Sequence, residues 1–189
     1  YGDFGLDGDA GSMLIMQVDD NPTDAEAAMS TFTEVAQRCG ALDVAYSDDP
    51  SDSAALITAR RMIQPAYEKF ANAHGGGQLL DDVCLPRTAV PEFCDRLAEL
   101  RSSSGLEIAL VAHAGDGNMH PSVFFDSGDA AETAKAEGVF AEIMRVGLEL
   151  GGTITGEHGV GFLKRAWLPN ELDEGSRRIQ LAVKNALDP

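Results

Sequence analysis

The sequence predicts an α+β domain in which a largely antiparallel sheet is covered by helices. Apolar runs of strand length alternate with stretches whose apolar residues recur every three to four positions. The alternation breaks at 113–120, where one apolar run turns straight back into another. An antiparallel hairpin does this and a parallel crossover does not. The 189 residues are 44% hydrophobic and contain no internal repeat, long linker or low-complexity tract, which suits one domain over 1–189 with a single core. A doubly wound parallel sheet is the weaker alternative.

The elements follow in order. Residues 12–18 (SMLIMQV) read as a strand. Asn21-Pro22 supplies an N-cap and a proline for the first helical position. Ala25, Ala28, Met29, Phe32, Val35, Ala36 and Cys39 then follow at helical spacing until Gly40. Residues 42–46 read as a second strand, and 52–72 as a long helix with Leu56, Ala59, Ile63, Tyr67 and Phe70 on one face. His74 and the three glycines after it are a loop, with the histidine solvated. Residues 79–85 (LLDDVCL) form a strand ended by Pro86, and Pro91 opens a helix through Leu100, stopped by the Ser-Gly run at 102–105. Residues 106–112 and 119–125 are strands, Asp129 to Leu150 is a helix, and Asn170 caps a final helix carrying Leu172, Ile179, Val183 and Leu187.

Charge and composition exclude several partners. The formal net charge is −17, with 14 Lys+Arg against 31 Asp+Glu. Nucleic acid and anionic membrane surfaces both require clustered positive charge, so neither is an expected partner. No apolar run approaches the roughly 20 residues of a membrane span. Tyr1 to Gly11 holds three Asp and no cationic or apolar region, so no signal peptide is expected. The missing initiator Met suggests a fragment or processed product. Cys39, Cys84 and Cys94 are odd in number and off metal-ligand spacing, which fits a reducing cytoplasm and small core hydrophobes.

The chemistry concentrates in HAGDGNMH at 113–120 and GEHGVG at 156–161, which hold three of the four histidines. If Asp116-Gly117 is the centre of a two-residue type I′ turn, His113 lies opposite His120 on one face. Opposed Cβ atoms lie about 5 Å apart, so two imidazoles there can share one metal. Two histidines alone equally suit the shoulders of a turn. A third ligand favours the metal, because catalytic zinc-type sites commonly use three protein ligands and keep one position open. Glu157, flanked by glycine in Gly156-Glu157-His158-Gly159, is that candidate. Adjacent side chains in extended backbone point apart, so Glu157 can face a metal while His158 faces a substrate.

HAGDGNMHP together with GGTITGEHGVGFLK resembles the C-terminal domain of FAD-linked oxidases. The group includes the glycolate oxidases, D-lactate dehydrogenases and D-2-hydroxyglutarate dehydrogenase, in the vanillyl-alcohol oxidase superfamily. The likeness extends through SMLIMQVDD, DSAALITARR, DDVCLP and KNALDP, along nearly the whole chain. It implies that His113, His120 and Glu157 hold a divalent metal, zinc or manganese, and that His158 is the catalytic base. Asn118 then lines the substrate pocket, and Arg60 pairs with a substrate carboxylate, for which a guanidinium fork is suited. Arg60 also reads as a surface cation beside Arg61. Ile57, Gln64 and Leu80 depart from the family pattern. The last two replace residues that meet a second carboxylate, which favours a monocarboxylic 2-hydroxy acid. Lys164 fits the motif, with its role open between anion contact and structure.

The resemblance therefore implies the substrate- and metal-binding half of a flavin-dependent dehydrogenase that converts a small 2-hydroxy acid into a 2-oxo acid. FAD would be bound mainly by an N-terminal domain that nothing here resembles, and this piece alone is expected to be inactive. The electron acceptor is unknown, and a cytoplasmic location, peripheral to a membrane through that acceptor at most, is expected. Two alternatives stand beside this reading. A metal-dependent hydrolase would use the same ligands to activate water, although no HExxH helix is present. A non-catalytic domain would close its metal site with four protein ligands, and only three are visible.

Overall fold

A computed structural model describes residues 10–188. The acidic stretch 1–9 and the proline that ends KNALDP lie outside the described residues. The chain divides into two compact units, one of residues up to Tyr67 and one from Glu68 onward.

In the first unit, α1 (Pro22–Arg38) begins as expected, with the Asn21 side chain accepting from the Asp24 amide and proline in the first turn. Helix α2 (Pro50–Arg61) ends at Met62, and α3 (Ile63–Ala73) starts at once. The single helix expected over 52–72 is thus two. Pro65 is the reason: in a continuous helix its ring would meet the Arg61 carbonyl, and restarting at Ile63 places it in a first turn. The strands expected at 12–18 and 42–46 are not formed. Neither run joins a ladder among the described residues, and an apolar run without a ladder partner does not make a strand. Met16 instead lines an apolar groove with Ala27, Ala28, Phe32 and Val35 of α1.

The second unit holds the sheet. Its strands are β1 (Gly76–Leu80), β2 (Val83–Cys84), β3 (Glu107–His113) and β4 (Asn118–Asp126). β4 is central, with β3 on one side and β1 and β2 in succession on the other, and every pairing is antiparallel. The α+β architecture with an antiparallel sheet is therefore as the sequence predicts. The run at 79–85 is split because Asp81 and Asp82 leave the ladder between β1 and β2.

Helices α4 (Val90–Ser104) and α5 (Ala130–Glu149) supply the covering layer. Helix α4 runs on through the serines and stops at Gly105, whose φ of 69° is the left-handed cap that glycine adopts without strain. Helix α5 buries Ala136, Val139, Phe140, Ile143, Met144 and Gly147, a stripe at three- and four-residue steps. These pack with Phe93, Leu97, Met119 and Val123 into one core. A Cβ on Gly147 would collide with Val83 Cγ1, so α5 meets β2 almost at backbone distance.

Beyond α5 come a 3-10 turn at Arg165–Trp167, the short α6 (Leu168–Glu171) and α7 (Glu174–Leu187). Asp173, not Asn170, caps the last helix, because its carboxylate accepts from the Ser176 amide while Asn170 is already inside α6. Cys39 and Cys94 are exposed rather than core residues, since each lies on the solvent side of its helix end or face. No helix among the described residues is long and apolar enough to cross a membrane.

Candidate metal centre

The period of two along β4 sorts its side chains. Met119 and Val123 enter the core under the helices, while Asn118, His120, Ser122 and Phe124 share the other face. The hairpin register corrects the expected one. His113 pairs with Asn118 and Val111 with His120, so the loop holds four residues, 114–117, rather than two. The shift is by two residues, which preserves parity, so His113 and His120 stay on one face as diagonal neighbours. Their ring centroids are 5.4 Å apart, edge to face.

The turn depends on Gly117. Its φ is 84°, and a Cβ there would run into the Leu85 carbonyl oxygen. Its own carbonyl accepts from the Leu85 amide at 2.9 Å, and the Asp116 carboxylate accepts from the Asn118 amide at 3.0 Å. Asp116 is thereby a turn residue.

The third candidate ligand arrives from 153–158. Thr153 bridges to Cys84, with Cys84 N donating to Thr153 O at 3.1 Å and the reverse bond at 2.9 Å. This extends the sheet edge beyond β2 and carries the next residues over the polar face of β4. Glu157 Oε1 then lies 3.1 Å from His120 Nε2 and 3.5 Å from His113 Nε2. One ion at ~2.0–2.2 Å from each ligand atom separates those atoms by roughly 3.0–3.5 Å. Both His–Glu spacings fall in that range and the three ligand atoms lie within 4.8 Å of one another, so the two histidines and the glutamate could hold a single divalent ion. His113 and Glu157 side chains are 40% and 53% exposed, which leaves the outer side of the triad open.

His120 is the anchor, with only 11% of its side chain exposed. Burial pushes its pKa down, and the neighbouring His158 and His113 add to this against the pull of Glu157. A neutral imidazole is the form that binds a metal. The His158 ring is 4.9 Å from that of His120. Its Nδ1 faces Asp81 Oδ1 at 3.3 Å, which leaves Nε2 for other work. Asn118 Oδ1 is buried without a hydrogen-bond partner, and a Cβ on Gly156 would press against it. A buried acceptor in that state is suited to a bound polar group.

Beneath the triad lies a buried charge network that the motifs do not announce. Asp82 and Lys164 are both fully buried, and Lys164 Nζ lies 2.6 Å from Asp82 Oδ1 and 2.7 Å from Asp81 Oδ1. Burial works to raise the Asp82 pKa, but the Lys164 hydrogen bond, the Glu157 and His158 amides and the Lys164 charge hold it well below the usual carboxylate range. Glu171 of α6 ties the approach, accepting from Thr153 Oγ1 at 2.5 Å and the Ile154 amide at 3.0 Å. The one sequence signal was the pair of acids inside an apolar run, which is costly unless a partner arrives from elsewhere.

The second unit thus brings together His113, Asn118, His120, Glu157 and His158. Arg60 lies in the last turn of α2, in the first unit. His74 is exposed in the turn after α3, as expected of a solvated loop residue; its Nδ1–H donates to the Phe70 carbonyl at 2.7 Å and its ring stacks on Phe70.

The profile of the family "FAD linked oxidases, C-terminal domain" matches residues 2–189. Glycolate oxidase subunit GlcD of Escherichia coli (strain K12) is 30% identical over 181 residues, which is 96% of this chain and 36% of that protein. Mitochondrial D-lactate dehydrogenase [cytochrome] of Arabidopsis thaliana is 30% identical over 156 residues, covering 82% of this chain and 27% of the relative. D-lactate dehydrogenase of Anaerostipes hadrus is 30% identical over 183 residues, 95% of this chain and 37% of its own length. The chain therefore spans about a third of the curated relatives it matches.

Proposed function

The chain belongs to the family of C-terminal domains of FAD linked oxidases, and from that premise we propose that it is the substrate- and metal-binding half of a flavin-dependent 2-hydroxy-acid dehydrogenase. The substrate is a small monocarboxylic acid of the D-lactate or glycolate type, and the product is the 2-oxo acid. The observation that carries this reading is the convergence of His113, His120 and Glu157 with His158 beside them.

His113, His120 and Glu157 would hold one zinc or manganese ion. Such an ion supplies positive charge toward a hydroxyl and a carboxylate, and a flavin supplies the two-electron acceptor. FAD is implied by the family, and the residues of this chain are assigned no part in holding it.

The chain's own contribution is binding and proton transfer. His158 takes the hydroxyl proton at Nε2, because Asp81 engages Nδ1. Histidine suits this task, since it exchanges protons near neutral pH. Asn118 offers its unpartnered Oδ1 from the floor of the site, and Arg60 is assigned the substrate carboxylate. The hydroxyl proton thus ends on His158, and a flavin, when bound, would supply the acceptor for the hydride of the carbinol carbon.

The test is anaerobic mixing of the full-length protein with D-lactate, glycolate or D-2-hydroxyglutarate while following oxidised-flavin absorbance. Bleaching by one of the monocarboxylic acids, in preference to the dicarboxylate, is expected. No bleaching by any 2-hydroxy acid, with hydrolysis of a metal-activated substrate instead, would turn the reading to a hydrolase.

A further inference from the structure

Glu157 and His158 have different partners and the same support. The amides of Gly156, Glu157 and His158 all donate to one atom, Asp82 Oδ2, at 2.9, 2.5 and 3.0 Å. Three consecutive N–H groups can converge on one oxygen only when the main chain curls around it as an anion-binding nest. That curl sends the Glu157 side chain to the histidine pair and the His158 ring to Asp81.

Asp82 is itself held. Its other oxygen accepts from Thr155 Oγ1 at 3.3 Å and from Lys164 Nζ at 2.6 Å, and its own carbonyl accepts from Lys164 Nζ at 3.2 Å. Thr155 Oγ1 also accepts from the Gly159 amide at 2.8 Å, which closes the far side of the turn. Asp81, Asp82 and His158 are close enough to resemble a second metal-ligand set. Lys164 Nζ lies where the two carboxylates meet, so the ammonium is the cation of that place.

We propose that Asp82, with Lys164 as its buried counter-ion, is a positioning residue that sets the 156–158 turn and thereby presents both the third metal ligand and the proton acceptor. Asp82 is fully buried and is not one of the His113, His120 and Glu157 group. It acts through the main chain of Glu157. The inference rests on the assignment of His113, His120 and Glu157 as the metal ligands.

The experiment is a double-mutant cycle for Co2+ and Zn2+ binding to the full-length protein, using Asp82→Asn, Glu157→Gln and the two combined. Removing an outer support of a metal ligand typically lowers affinity 10–100-fold. Asp82→Asn is expected to lose about that much and to change the Co2+ absorption spectrum. In the Glu157→Gln background the same substitution should cost less than threefold, because the ligand it acts through is already gone. A core variant of matched thermal stability, such as Phe140→Leu, should keep wild-type affinity. Equal losses in both backgrounds, or no loss in either, would overturn the positioning role.

Amide exchange in the metal-free protein judges the turn separately. Gly156, Glu157 and His158 amides should be protected in the wild type and exchange at least about tenfold faster in Asp82→Asn. Unchanged protection overturns the inference even if metal binds. A wild-type protein that binds no divalent ion overturns the ligand assignment instead, and the exchange result still decides the role of Asp82 in the turn.

Discussion

Glu157 and His158 are consecutive in the chain and divide the chemistry between them. Glu157 completes a triad with His113 and His120, while His158 faces Asp81 through Nδ1. His158→Ala in the full-length protein should therefore lower the rate of flavin reduction ~10²–10⁴-fold, the usual contribution of a general base, and leave metal content unchanged. Loss of metal alongside activity would make His158 a ligand instead. The Asp82–Lys164 pair makes a second claim at this scale. Both side chains are fully buried, so removing Lys164 leaves the buried Asp82 carboxylate without its counter-ion. Lys164→Met should cost ~3–5 kcal/mol in metal-free denaturant unfolding. The folded-state pKa of Asp82 lies below its unfolded value. Its stabilisation is thus whole above the unfolded aspartate value of about 3.9 and is lost as pH falls through the folded value. The stability gap between wild type and Asp82→Asn, measured with chelator present, should narrow on acidification. A gap that is constant with pH would show that the charge of Asp82 is not what the fold uses.

At the scale of the element, the hairpin shows what a sequence can and cannot specify. Pairing His113 with His120 assumes a two-residue turn, whereas the four-residue loop pairs His113 with Asn118. The common face survives because a shift of two conserves the alternation of side chains, whereas a shift of one would have separated the histidines. Helices α1, α4 and α5 were legible from caps and periodicity, because both act within a few residues. The strands at 12–18 and 42–46 were misread because an apolar run carries no information about a ladder partner. The pairing of Asp82 with Lys164 went unread for a related reason: the two stand 82 positions apart, and no local pattern links them. The loop itself is testable. Gly117→Ala puts a non-glycine residue at φ 84° with its Cβ against the Leu85 carbonyl. It should cost ~1–3 kcal/mol for the backbone alone, with the clash adding to it, and should weaken metal binding by misplacing both histidines. Wild-type stability and affinity in that variant would mean the turn is not the determinant of the histidine pair.

At the scale of the molecule, an acidic chain of net charge −17 concentrates its working groups on the polar face of one sheet. The core lies on the other face, so α4, α5 and the apolar side of β4 can hold the site without lining it. The candidate ligands come from the β3–β4 hairpin and from a later segment around Glu157, and a bound ion would cross-link them. Ligand that binds only the folded form should raise the unfolding free energy, by ~2.7 kcal/mol at one hundred times its Kd. The central claim is that His113, His120 and Glu157 hold one divalent ion, and it is met most directly by metal content. Wild type and His120→Ala, purified as full-length protein and dialysed, are compared by mass spectrometry. Near-stoichiometric zinc or manganese in the wild type and its loss in the variant is the predicted result. Equal content in both, or none in the wild type even after zinc is supplied together with lactate, would contradict it.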